Sequence, residues 1–250
     1  MKIILSPAKK MRADDDMLEI KDLPIYIKKT EEILSFLKGK SLEELKKLWG
    51  CNDKIAETNY KRIEQMDLYK RLTPAIISYD GIAFQYMAPN VFENDCFDYV
   101  QENLRIISGF YGVLKPLDGV TPYRLEMQAK AQINGNKDLY DYWGSMIYNE
   151  VHDESGIIIN LASKEYSKCV EKYLTANDKY INIIFAEKSG EKLVTKGTYA
   201  KMGRGEMVRF MAENNIREPE EIKDFNRLGY IYREDLSKEK EFVFERIVQK

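Results

Sequence analysis

Between Ser108 and Met127 the chain reads SGFYGVLKPLDGVTPYRLEM. Gly109 and Gly112 can take backbone shapes closed to other residues. Pro116 and Pro122 fix φ and push the residue before each toward an extended shape. The stretch therefore reads as a rigid loop, leaving a strand at Leu104 to Ile107. It would hold Tyr111, Lys115, Asp118, Tyr123 and Arg124 in fixed directions. A charged pair and aromatics held this way suit a binding site. They equally suit a structural corner, with Asp118 pairing Arg124 and the tyrosines packed inside. Both readings stay open on residue types alone.

Two further sets of cations accompany that loop. Lys2 to Leu5 reads as a buried strand that Pro7 breaks, so Lys9 and Lys10 emerge at its end. Ligand sites in α/β folds often lie at such strand ends. The second set is on Tyr199 to Asn214, which reads as a helix. At about 100° per residue, Lys201, Arg204 and Arg209 fall within an arc of roughly 140°. Met207 and Phe210 face the other way, while Val208 intrudes on the basic arc. Gly205 also lies in that arc, where a glycine costs helix stability but lets a phosphate approach the backbone. The alternative is a solvated basic face over a methionine core.

Elements must position these groups, and composition bounds what they can build. The chain has 250 residues, 44% apolar and 32% charged, enough for a sizeable core. Its formal net charge is −2, so any nucleic-acid site must be a local basic patch. Cys51, Cys96 and Cys169 form no CxxC pair, which fits a reducing cytosol. His152 is the only histidine; a multi-histidine metal site is excluded, a Ser-His-Asp triad is not. No cluster of His, Cys and carboxylates has ligand spacing, so no metal or cofactor is expected. The N-terminus is too short in apolar residues for a signal peptide. No apolar run approaches the ~20 residues of a membrane helix.

In order, the spacing predicts a helix over Ile25 to Lys38 and a capping box at Ser41 and Glu44 opening the next. An Asp-rich exposed loop is expected over Arg12 to Asp16. Ala75 to Tyr79 reads as a strand, followed by alternation at Phe84 and Tyr86. Phe92 to Asn103 and Lys137 to Val151 read as helices. Gly156 to Leu161 is an apolar strand, with a helix from Ala162-Ser163 to Lys172. Tyr180 to Ala186 and Lys192 to Thr198 form a hairpin through Ser189-Gly190. Leu228 to Tyr232 and Glu241 to Val248 close the chain as strands. No linker interrupts it. The expectation is one compact mixed α/β (α+β) domain over residues 1–250, with a mixed sheet and surrounding helices.

Pieces along the whole chain resemble the YaaA family of bacterial peroxide-stress proteins. They are SPAKKM (Ser6 to Met11), the central loop, NLASKEY (Asn160 to Tyr166), YAKMGRGEMVRF (Tyr199 to Phe210) and GYIY (Gly229 to Tyr232). LKKLWGCNDKIAETN, Leu45 to Asn59, also resembles a helix-hairpin-helix motif. Such hairpins hold a DNA phosphate with backbone N–H groups and the start of the second helix. Asn52 stands where a second glycine is usual, and Asp53 either adds a negative charge near the phosphate or caps the second helix; a plain helical hairpin is the other reading.

The resemblance implies a cytoplasmic DNA-binding protein that limits damage from peroxide and free iron, with no established catalysis. Its partner would be double-stranded or structured DNA, held by phosphates and largely independent of sequence; a monomer is favoured. The implied contacts are Lys9, Lys10, Gly50, Lys54, Arg124, Lys201, Arg204, Gly205 and Arg209. The rival is an enzyme on nucleic acid or on a phosphorylated small molecule. In a glycosylase-like form, Lys9 would be the nucleophile and Asp118 the carboxylate, if they meet in space. A third option is a protein-interaction module, marked by an exposed apolar patch.

Overall fold

The computed structural model describes residues 1–14, 18–190 and 192–247. Asp15 and Asp16 of the expected Asp-rich loop, and Val248 of the expected last strand, lie outside them. The core is a mixed eight-stranded sheet. In chain order its strands are β1 (Lys2–Leu5), β2 (Leu104–Ser108), β3 (Gly112–Leu114), β4 (Ile157–Leu161), β5 (Lys179–Ser189), β6 (Lys192–Val194), β7 (Tyr230–Tyr232) and β8 (Glu241–Arg246). The spatial order is β7-β8-β5-β4-β1-β2-β3, with β6 paired to β5. The five inner strands β8, β5, β4, β1 and β2 run parallel to one another. Strands β3 and β7 close the two edges antiparallel.

Helices pack around this sheet. They are α1 (Ile27–Lys38), α2 (Leu42–Trp49), α3 (Asp53–Gln65), α4 (Ala75–Ser78), α5 (Ile82–Met87), α6 (Asn94–Asn103), α7 (Leu139–Trp143), α8 (Met146–Val151), α9 (Lys164–Glu171) and α10 (Gly197–Glu213). The parallel strands are apolar on both faces, as burial between helix layers requires: Ile3, Ile4 and Leu5 are all buried. The result is a single compact α/β domain, as expected.

Four local expectations change. The strand expected over Lys192 to Thr198 stops at Val194, and Gly197 and Thr198 begin α10, the helix that packs against α5. Ala75 to Tyr79 is not a strand; Ala75–Ser78 form α4, and only Tyr79–Asp80 pair with Lys10–Met11. All four residues of α4 are buried, so the run shows no period by which helix and strand could be told apart. Phe84 and Tyr86 belong to α5 rather than to an extended segment. The expected helix from Lys137 to Val151 is broken in two at Gly144, whose φ of +51° ends α7.

The Ser108–Met127 stretch is rigid for reasons the contacts make plain. Ser108 Oγ accepts N–H bonds from Phe110 at 3.1 Å and Tyr111 at 2.9 Å. Tyr123 Oη lies 2.6 Å from that hydroxyl and 2.8 Å from Tyr79 Oη. Gly112, at φ +76°, faces the Trp143 ring, which a Cβ would meet at 2.8 Å. The tyrosines are therefore packed inside, the structural half of the two readings. The charges behave differently: Arg124 pairs with Glu126, not with Asp118.

Candidate functional site

The carboxyl ends of the parallel strands gather the first part of the site. After β1, Ser6 Oγ accepts the Ser163 N–H at 2.8 Å, tying the turn after β1 to the turn after β4. The chain then carries Lys9 outward. Its ammonium meets Glu126 Oε2 at 2.8 Å, while Arg124 meets Glu126 Oε1 at 3.3 Å. One carboxylate thus sits between two cations. Lys9 is exposed, whereas Arg124 is mostly buried and its Nε has no hydrogen-bond partner among the described residues.

Opposite Lys9 stands α2, which the Gly50 turn joins to α3. The sequence dictates the shape of this pair closely. Ser41 and Glu44 form the predicted capping box. Gly50 ends α2 in the left-handed conformation, φ +54°, which favours glycine. Asn52 Oδ1 then accepts the Ile55 N–H at 3.0 Å and starts α3. Asn52, rather than Asp53, is the cap; Asp53 pairs with Lys46. A Cβ built on Gly50 would meet nothing within 4 Å, so the turn there is open to a ligand.

Between these parts lies a cavity of about 760 Å³. Lys9, Lys40, Lys47 and Lys130 line it with Gly50 and Glu126. Lys40 pairs with Glu44 at 3.0 Å. Lys47 and Lys130 have no carboxylate within ion-pair distance among the described residues. The concavity continues: residues 128–130 and Gln132 also line a neighbouring hollow of about 730 Å³, with Lys137, Lys164 and Lys168. There Glu165 accepts the Gln128 N–H at 3.2 Å. Burial raises the Glu165 pKa, and Glu126 raises it further. Lys164 also lines a third cavity with Arg204. The first two hollows share residues 128–130 and Gln132 and form one trough, in which lysines outnumber carboxylates; the third touches it only at Lys164.

The remaining residues expected at a site lie as follows. Lys54 is exposed in the first turn of α3 but does not line the trough. Lys10 is held by Asp80. Lys201 is exposed on α10. Arg209 pairs with Glu213 at 2.7 Å, and Arg227 bridges Glu213 and Glu206 beside it. Lys201 and Arg209 are not among the residues lining these cavities, so the helix arc does not converge as a unit on Lys9. Gly205 is buried, and a Cβ there would collide with the Ala83 carbonyl oxygen. That glycine lets α10 cross α5 closely, so its backbone cannot meet a phosphate. The basic arc is a helix-packing face at Gly205 and a cavity wall at Arg204.

Lys9 and Asp118 do not meet. Asp118 lines a separate cavity of about 220 Å³ with Arg105, Lys115 and Glu150. Its Oδ2 accepts the Lys115 N–H at 2.8 Å. Burial pushes its pKa up to about 7, opposed by Lys115 and Arg105 and reinforced by Asp22. The lysine–carboxylate pair expected for a glycosylase-like enzyme is therefore not assembled from these two residues.

Sequence reasoning missed Lys40, Lys47, Lys130 and Glu126 as wall residues. Lys47 stands inside the hairpin motif and Glu126 inside the central stretch, so both were within reach. Lys40 and Lys130 carried no signal; only the chain path brings them together. Among the described residues, no three His, Cys, Asp or Glu side chains cluster as a metal would need. No helix there is long and apolar enough to cross a membrane.

Comparison with known proteins adds to this geometry. A family model described as peroxide stress protein YaaA matches residues 1–236. A UPF0246 protein of Agathobacter rectalis is 69% identical over 246 residues, covering 98% of this chain and 99% of that protein. A UPF0246 protein of Lachnoclostridium phytofermentans is 54% identical, covering 98% and 96%. One from Limosilactobacillus reuteri is 49% identical, covering 99% and 100%.

Proposed function

The chain belongs to the peroxide stress protein YaaA family, and from that premise we propose that it binds DNA in the cytoplasm during peroxide stress. The duplex lies along the lysine-lined trough, and the α2–α3 hairpin grips its backbone. The observation that carries this reading is the convergence of Lys9, Lys40, Lys47 and Lys130 on one open cavity beside Gly50. Lys47 and Lys130 are free to neutralise phosphates without first breaking an ion pair. Gly50 keeps the turn before α3 free of a side chain, so a phosphate can approach the start of that helix, while the Gly50 N–H itself is taken by the Lys47 carbonyl oxygen.

Lysine is a flexible point charge without a fork of donors, which suits phosphates better than base edges. Binding is then largely indifferent to sequence. An effect on iron damage follows indirectly, from what the protein does at the DNA.

The test is a titration of labelled duplexes of unrelated sequence at several salt concentrations. Affinity falls steeply with salt and varies little between sequences. A flat salt response, or a strong preference for one sequence, would overturn the reading. Gly50→Val, which closes the open turn and strains its left-handed conformation, weakens binding in the same assay.

A further inference from the structure

We propose that the cavity in front of Arg204 is a binding site for a phosphate monoester, distinct from the backbone contacts of the trough. The cavity measures about 440 Å³ and is walled by β4, β5, α9 and α10. This inference goes beyond duplex binding and does not depend on it.

Arg204 is the first reason. Its Nε is sealed from solvent and has no hydrogen-bond partner among the described residues. No carboxylate there lies within ion-pair distance of it. Burial lowers its pKa, and no neighbouring charge offsets that burial. The residue as a whole is half-buried, so its two Nη groups, which have no protein partner among the described residues either, are the donors that reach an anion in the cavity.

The floor beneath it is the second reason. Asn160 Oδ1 accepts the Ala162 N–H at 2.8 Å, which fixes how that amide is turned. Asn160 Nδ2 therefore donates to Asn182 Oδ1, at 2.7 Å. That bond occupies the Asn182 oxygen and leaves its Nδ2 hydrogens for the cavity. A backbone N–H two residues away thus determines that the floor presents donors. Donors on the floor and a guanidinium on the wall select an oxyanion.

Of the two carboxylates on the wall, Glu171 is firmly engaged and Glu241 only loosely, by an exposed lysine. Glu171 pairs with Lys164 and accepts from Ser167 Oγ at 2.6 Å. Glu241 lies 3.9 Å from Lys238. Lys164 joins this cavity to the trough, so the phosphate has two possible carriers. One is the terminal phosphate of a nucleic-acid strand; the other is a free phosphorylated small molecule.

The experiment uses the full chain and inorganic phosphate. Thermal unfolding is followed with phosphate against chloride at matched pH and ionic strength. Wild type gains melting temperature with phosphate. Arg204→Met gains none, and without phosphate it melts close to wild type because Arg204 has no hydrogen bond or ion pair to lose among the described residues. Asn182→Asp keeps Arg204 but turns the floor against anions, and its phosphate affinity falls by roughly tenfold or more, the loss of a charge-assisted bond. Two further arms identify the carrier: nucleoside 5′-monophosphate against nucleoside, and 5′-phosphorylated against 5′-hydroxyl oligonucleotide. Preference for the phosphorylated strand identifies a strand end; preference for the monophosphate alone identifies a small molecule. No phosphate-specific shift in wild type, or equal shifts in Arg204→Met, overturns the site. Binding to covalently closed circular DNA, which has no strand ends, tests the trough separately.

Discussion

The Lys9 ammonium lies 2.8 Å from the Glu126 carboxylate, joining the loop after the first strand to the end of the Ser108–Met127 stretch. Glu126 also holds Arg124, so this one side chain cancels positive charge at the edge of the trough. If DNA lies there, the carboxylate works against it.

Glu126→Gln therefore tightens DNA binding. The amide still accepts a hydrogen bond from Arg124, so the melting temperature stays close to wild type. Affinity measured at two salt concentrations checks this. Weaker binding by the variant would mean that Glu126 positions the cations rather than opposing them.

Lys47→Ala and Lys130→Ala each weaken duplex binding by a similar factor for every sequence tried. Each also makes the salt slope shallower by about one unit, the signature of one lost phosphate contact. Neither side chain has an ion pair among the described residues, so thermal stability is unchanged. A variant with unaltered affinity would remove that lysine from the interface.

Gly205→Ala destabilises the fold by about 3 kcal/mol, at the upper end of overpacking costs, because a methyl group strikes the Ala83 carbonyl. Urea unfolding measures this directly. If Gly205 instead faced a ligand, the variant would fold normally and lose only binding.

Asp118 makes one part of stability depend on pH. Its folded pKa, about 7, stands above the usual carboxylate value. Its contribution is therefore fully present below the unfolded pKa, near 4, and is lost as pH rises through 7. Asp118→Asn keeps an acceptor for the Lys115 N–H but carries no charge. The stability of this variant relative to wild type should rise from pH 4 to pH 8. Denaturant midpoints across that range, for both proteins, reveal the trend; a difference independent of pH would place the titration elsewhere.

Local chemistry along the chain was enough to determine the hairpin. Ser41 with Glu44, Gly50 and Asn52 satisfy or release backbone groups within a few residues of themselves. Their roles follow from residue type and spacing, whatever else surrounds them. The helix at α10 and the inner strands were legible from periodicity and apolar runs; whether the tyrosines of the central stretch pack inside was not. Periodicity reports that a face is buried, but not what covers it. Only the tertiary structure decided that Gly205 meets Ala83 rather than a ligand, and that α4 is helical within a uniformly buried run. It alone paired Lys9 with Glu126 and kept Asp118 in another cavity. It also brought the Asn182 amide, oriented by Asn160 on the neighbouring parallel strand, into the same cavity as Arg204. Such contacts depend on the path of the chain through space, and the strands that make them are adjacent only because the sheet orders them so.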